Sequence, residues 1–68
     1  MASGTVKWFD SKKGYGFIQP DSGGADVFVH ISAVERAGLS ALLENQKVEY
    51  ELEERRGKTN ATDIKVVG

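Results

Sequence analysis

Lys13-Gly14-Tyr15-Gly16-Phe17-Ile18, followed by Val27-Phe28-Val29-His30-Ile31, is the stretch on which the fold of this 68-residue chain turns. Each run is short, rich in aromatic and aliphatic residues and bounded by turn formers. Asp10-Ser11-Lys12-Lys13 precedes the first, and Pro20-Asp21-Ser22-Gly23-Gly24 separates the two. Runs of this kind read as strands joined by tight loops. Side chains alternate between the faces of a strand. Tyr15 and Phe17 therefore share one face, and Phe28 and His30 share one face of their own strand. Ile18, Val27 and Val29 already supply an apolar inner face, so the rings are not needed for a core. Gly14 permits a tight entry to its strand. Gly16, opposite the rings, leaves room for strong twist or bending.

Working outward, Gly4 to Asp10 is a first strand, Tyr15 to Gln19 a second and Asp26 to His30 a third. Ser32 and Glu35 have the spacing of a capping box, and Gly38 suits a C-terminal cap, which predicts a turn or so of helix between them. Leu39 to Gln46 forms a linking loop with apolar anchors. Lys47 to Arg55 alternates clearly: Val48, Tyr50 and Leu52 point inward, and Lys47, Glu49, Glu51 and Glu53 outward. A charged turn around Gly57 leads to a last strand, Thr59 to Val67, with Thr62, Ile64 and Val66 on its inward row and Val67 packed at its end. Five short strands with Gly-rich turns and almost no helix predict an all-β fold. An open sheet this small would expose its edges and one apolar face. Closure into a five-stranded antiparallel Greek-key barrel of the OB type removes both problems. No repeat, linker or low-complexity run interrupts residues 1–68, which read as one domain.

A domain of this length buries only about 60% of its unfolded surface and needs a compact core. There is no cysteine, so neither a disulfide framework nor a thiolate zinc site is available, as fits a reducing cytoplasm. Met1-Ala2-Ser3-Gly4 lacks the basic and apolar regions of a signal peptide. No apolar run approaches the ~20 residues of a membrane helix. The expectation is a soluble cytoplasmic protein without a membrane partner. The formal net charge is −1, which by itself speaks weakly against a nucleic-acid binder. Distribution outweighs the sum, however. Lys7, Lys12 and Lys13 surround the aromatic segment, Arg55, Arg56 and Lys58 form a second basic group, and the acids concentrate at Glu44, Glu49, Glu51, Glu53 and Glu54. A local positive field is compatible with an acidic whole.

Rings presented outward beside lysines suit stacked bases and a phosphate backbone, because every base has a π-face. The competing explanation is a hairpin stabilised by aromatic cross-strand pairs. It serves for one pair and poorly for two pairs on adjacent strands flanked by cations. Alternation groups Trp8 with Val6, a core residue, so only a bulge or strong twist between them would bring Trp8 to the ring surface. The strand pattern leaves both placements open. Phe9 is expected partly beneath the other rings. His30, the single histidine, has no second His or Cys with which to hold a metal. It could pair with a carboxylate such as Asp26, but a stacking and hydrogen-bonding role suits it better. No nucleophile elbow, P-loop or zincin motif is present. No catalytic residue, cofactor, metal or small-molecule substrate is expected.

At these residues the chain resembles the bacterial cold-shock proteins, along essentially its whole length. Gly4-Thr5-Val6-Lys7-Trp8-Phe9 is similar to the family's first strand, Lys13-Gly14-Tyr15-Gly16-Phe17-Ile18 to its first ribonucleoprotein motif, and Val27-Phe28-Val29-His30-Ile31-Ser32-Ala33 to its second. RRM domains carry a related fragment, but with the motifs in the opposite order and with two long helices that are missing here. The resemblance implies an OB-type barrel that binds single-stranded RNA and DNA without enzymatic activity, and an ATP-independent RNA chaperone with effects on transcription or translation in cold adaptation. It implies that Lys7, Trp8, Lys13, Tyr15, Phe17, Phe28 and His30 line the binding surface, with the basic loop at Arg56 beside it, and so moves Trp8 to the surface. Five short strands joined by loops leave both a monomer, the expected form, and a swapped dimer open. The chain departs from the family's pattern at Asp10, often Asn, and at Ile31 and Leu39, often aromatic. Gly57-Lys58 stands where a Gly-Pro pair is usual, and Ala61-Thr62-Asp63 where Ala-Ala-Asn is usual. Fewer rings at one end imply a shorter platform.

Overall fold

The computed structural model describes residues 2–67. Five strands, β1 (Ala2–Asp10), β2 (Tyr15–Pro20), β3 (Val27–His30), β4 (Lys47–Arg55) and β5 (Lys58–Val66), are joined by one short helix, α1 (Ile31–Arg36), between β3 and β4. They close into a barrel in the order β1-β2-β3-β5-β4, with β4 returning to β1. The expected all-β OB-type barrel is the observed architecture. All pairings are antiparallel except one. β3 meets β5 in parallel, at the single register pair Phe28↔Asn60.

The core is the inward row of each strand: Val6, Ile18, Val27, Val29, Val48, Tyr50, Ala61 and Ile64, closed by Val34 of α1 and Leu42 of the following loop. Two irregularities control which side chains reach it. Between Val6 and Trp8, β1 advances two residues while β2 advances one, since Val6 faces Ile18 and Trp8 faces Phe17. The extra residue, Lys7, is a β-bulge, and a one-residue slip sends every later side chain to the other face. Trp8 therefore leaves the row of Val6 and turns outward. The second bulge lies in β5. Glu49↔Lys65 is followed by Glu51↔Thr62, three steps on β5 against two on β4, and Asp63 takes a left-handed φ of 49° there.

This second bulge corrects the expected inward row of β5. Ala61 and Ile64 are buried, whereas Thr62 is only half-buried. Leu52 also departs from expectation, with 55% of its surface exposed. Among the described residues the β1–β4 register ends at Ala2↔Tyr50, so Leu52 lies past the last described β1 partner. Val67, expected to pack, is exposed.

The turn chemistry is local. The Asp10 carboxylate accepts the amides of Lys12 (2.9 Å) and Lys13 (3.1 Å), and the Gly14 amide donates to the Asp10 carbonyl at a positive φ that glycine tolerates. Gly16 serves close approach more than twist. A Cβ there would stand 2.7 Å from the Phe9 Cα. The helix begins two residues earlier than its capping-box spacing predicts. His30, not Ser32, is the N-cap, accepting the Ser32 amide on Nδ1 at 3.1 Å. Its end matches expectation: Gly38 donates to the Glu35 carbonyl and Leu39 to the Val34 carbonyl, the paired bonds of a Schellman motif.

At the barrel seam, Asp21 accepts from the Lys47 ammonium (2.6 Å) and the Ser3 hydroxyl (3.0 Å). These bonds, that of Lys47 first, hold its carboxyl below the ordinary value of 3.8. Tyr50 is fully buried with a phenolic oxygen that has no hydrogen-bond partner among the described residues. Burial, helped by the nearby Asp21 charge, raises that phenol above its ordinary 10.0.

Candidate nucleic-acid interface

The register of three neighbouring strands builds the aromatic surface. Phe17 faces Phe28 directly across the β2–β3 pair, Tyr15 faces His30, and the Lys7 bulge sets Trp8 opposite Phe17. The rings touch in a continuous cluster. Trp8 lies 5.5 Å from Tyr15 and 5.4 Å from Phe17, both edge to face; Tyr15 stacks on Phe28 at 5.6 Å and 22°; Phe28 leads on to His30 at 6.5 Å. Edge-to-face and offset contacts at such distances fix the rings in place. None of them is buried. Tyr15, Phe17 and Phe28 are half-exposed, and Trp8 and His30 are exposed. A surface of this kind leaves π-faces available to a ligand. Phe9 sits beneath, half-buried against the core.

The cations divide between the ends of this surface. Lys13 is exposed and precedes Tyr15, at the His30 end, where the Ile31 amide donates to the Gly14 carbonyl (2.9 Å) and ties the β1–β2 turn to the start of α1. Lys7 lies at the opposite end, paired with Asp26 at 3.1 Å. Asp26 is thus the partner of Lys7 and not of His30. His30 instead engages Ser32 through Nδ1, with the amide at 3.1 Å and the hydroxyl at 2.9 Å. An Nδ1 that accepts an amide N–H carries no proton, so in the neutral ring Nε2 bears the hydrogen and is a donor.

Arg56 occupies the tip of the β4–β5 hairpin, exposed and left-handed at φ 51°. A concavity of about 360 Å³ beside Phe17 and Phe28 is lined by Gly57, Lys58 and Thr59 from this hairpin, with Ala25 and Asp26. Lys58 is therefore a neighbour of the ring surface that the motifs did not nominate, although its basic group was visible. Asn60, paired with Phe28 in β5, carries no local signal, because that contact depends on barrel closure. β4 borders β1 and β5 and pairs with neither β2 nor β3.

Among the described residues no group of His, Cys, Asp and Glu is arranged to hold a metal ion, and no helix is long and apolar enough to cross a membrane. Residues 2–67 match the family model of the "cold-shock" DNA-binding domain. A probable cold shock protein of Sinorhizobium fredii is 62% identical over 66 residues, covering 94% of this chain and 96% of its own. The cold shock protein CspA of Rhizobium meliloti is 58% identical over 67 residues, with 96% and 97% covered. A cold shock-like protein of Thermotoga maritima is 58% identical over 64 residues, with 94% and 96% covered. Matches along nearly the full chain, on a barrel whose exposed rings meet across the two motif strands, mean that this protein belongs to the cold-shock domain family, a family of nucleic-acid-binding proteins.

Proposed function

We propose that the chain binds single-stranded RNA and DNA through its ring surface and acts as an ATP-independent RNA chaperone. The observation that carries the reading is the contiguous cluster of Trp8, Tyr15, Phe17, Phe28 and His30 on one outer face of the barrel. Base faces are accessible only when bases are unstacked, so such a surface selects unpaired strands. Lys13, Lys7, Arg56 and Lys58 supply phosphate contacts around it. Binding that favours the open strand draws a structured RNA towards open forms by mass action, with no nucleotide hydrolysis. Each stacked base contributes roughly 1–3 kcal/mol, so three or four stacks, less ordering costs, give about micromolar affinity. Many copies along an RNA are then needed to hold it open, which suits a small protein working as a monomer in the cytoplasm. Effects on transcription or translation, and a part in cold adaptation, follow from that activity.

The test is titration of Trp8 fluorescence with heptathymidine and with an unstructured RNA. Binding quenches the indole. Phe17→Ala and Phe28→Ala each weaken binding about tenfold or more while the barrel remains folded by circular dichroism. A docking surface for another protein would instead leave Trp8 unchanged at high micromolar oligonucleotide, an outcome that overturns the reading. The salt slope should be shallow, since few cations face the strand and one of them, Lys7, is already paired.

A further inference from the structure

Beyond His30 the outer surface continues into a polar cleft of about 380 Å³ between α1 and the β4–β5 hairpin. It is bordered by His30 and Asn60, by two basic residues, Arg36 and Arg55, and by two acidic ones, Glu53 and Asp63. Glu53 holds Arg55 through Nε at 2.7 Å. Among the described residues Arg36 and Asp63 enter no ion pair. Asp63 owes its place to the β5 bulge, and bulges characteristically re-aim a side chain. The cleft therefore offers cationic donors and an uncommitted carboxylate, next to a stacking ring.

We infer that this cleft is a base-reading subsite that takes guanine from the nucleotide next to the one on His30. The inference rests on the ring surface binding unpaired bases. Arg is suited to the O6 and N7 acceptors of guanine. A carboxylate is suited to two adjacent N–H donors, and guanine alone among the four bases presents such a pair, N1–H and the N2 amino group, beside an acceptor. Uracil and thymine have a single N–H donor on that edge. Adenine and cytosine place their amino group beside an unprotonated ring nitrogen, which a carboxylate repels. A pure phosphate site would not need Asp63, whose charge opposes a phosphate. The balanced charge of the cleft thus points to a base edge.

The experiment uses heptauridine and derivatives bearing one guanine, adenine or cytosine at the 5′ or the 3′ end, titrated against the intact protein. Guanine at one end should tighten binding about tenfold over the other bases, the lower part of the range for a good bidentate pair because the cleft is open to water. Asp63→Asn keeps a residue tolerant of the left-handed backbone but removes the double acceptor, and should bring the guanine-to-uracil ratio to about one. Arg36→Ala, on the exposed helix, should reduce the same ratio. Equal affinities for all bases at both ends overturn the inference while leaving the ring surface intact. So does a uniform loss across all oligonucleotides in Arg36→Ala, which would make the cleft a phosphate contact. Absence of any binding by the unaltered protein overturns the ring-surface reading itself and the subsite with it.

Discussion

Gly16 shows how much one position constrains this molecule. It lies on the inner side of a strand whose outer side carries Tyr15 and Phe17, and any Cβ would meet the Phe9 backbone and ring, both at 2.7 Å. Backbone cannot yield as a flexible side chain can, so Gly16→Ala should destabilise the barrel by about 1–3 kcal/mol or more, read as a lower urea midpoint with an unchanged m-value. Tyr50 presents the reverse case. Its phenolic oxygen is buried without a partner among the described residues, and an unmade hydrogen bond in the interior costs about 1–3 kcal/mol. Tyr50→Phe keeps the packed ring and removes the orphan, so it should leave stability unchanged or raise it. The same group makes the protein sensitive to alkali. Its folded pKa lies above the ordinary 10.0, so its contribution is complete below that value and is lost as pH rises through the folded one. Above about pH 10 the loss of stability should be less steep in pH for Tyr50→Phe.

At the level of elements, the informative features are the places where regular pairing fails. The hairpin from β4 to β5 turns through Arg56 and Gly57, both left-handed at φ 51° and 76°. Two consecutive left-handed residues make a type I′ turn, in which asparagine is favoured at the first position and a long side chain is not. Arg56→Asn should therefore stabilise the barrel by about 0.5 kcal/mol, seen as a higher unfolding midpoint. It should weaken oligonucleotide binding only slightly, because Lys58, which lines the concavity beside the rings, remains. The bulges at Lys7 and Asp63 have a larger consequence. Strand positions, composition and the inward rows of β2 and β3 were all legible from alternation. What alternation could not supply was the phase beyond a bulge. It left Trp8 undecided between two faces and assigned Thr62 to the core in place of Ala61. The His30 cap escaped for another reason: the Ser32–Glu35 spacing is a sound cap signal, but a histidine one residue upstream of the helix reached the free amide first.

For the whole barrel, closure depends on what holds β4 against β1. Ser3, Asp21 and Lys47 bring together β1, the end of β2 and β4 through two side-chain hydrogen bonds to one carboxylate. The Asp21 carboxyl is held below 3.8, so its stabilisation is present above that pH and is lost as the pH falls through the lower folded value. Acid unfolding should begin below about pH 4, and Asp21→Asn should flatten that part of the stability–pH curve when followed by far-ultraviolet circular dichroism. Closure also explains which neighbours of the ring surface were visible in advance. Tyr15, Phe17, Phe28 and His30 lie on strands adjacent in sequence, so their alignment needs only a hairpin. Lys58, Asn60 and the cleft at Arg36 and Asp63 come from the other half of the chain, through a parallel β3–β5 contact of one register pair.

The sequence by itself determined the strand content, the barrel class and the central rings, because period-two alternation and turn residues act over a few positions. The tertiary structure alone decided the burial of Ala61, the exposure of Leu52 and the pairing of Lys7 with Asp26, and it supplied the bulge that turns Trp8 to the surface where the family resemblance had placed it. Each of these depends on where one strand slips or ends against another, and that register is fixed only when the barrel closes.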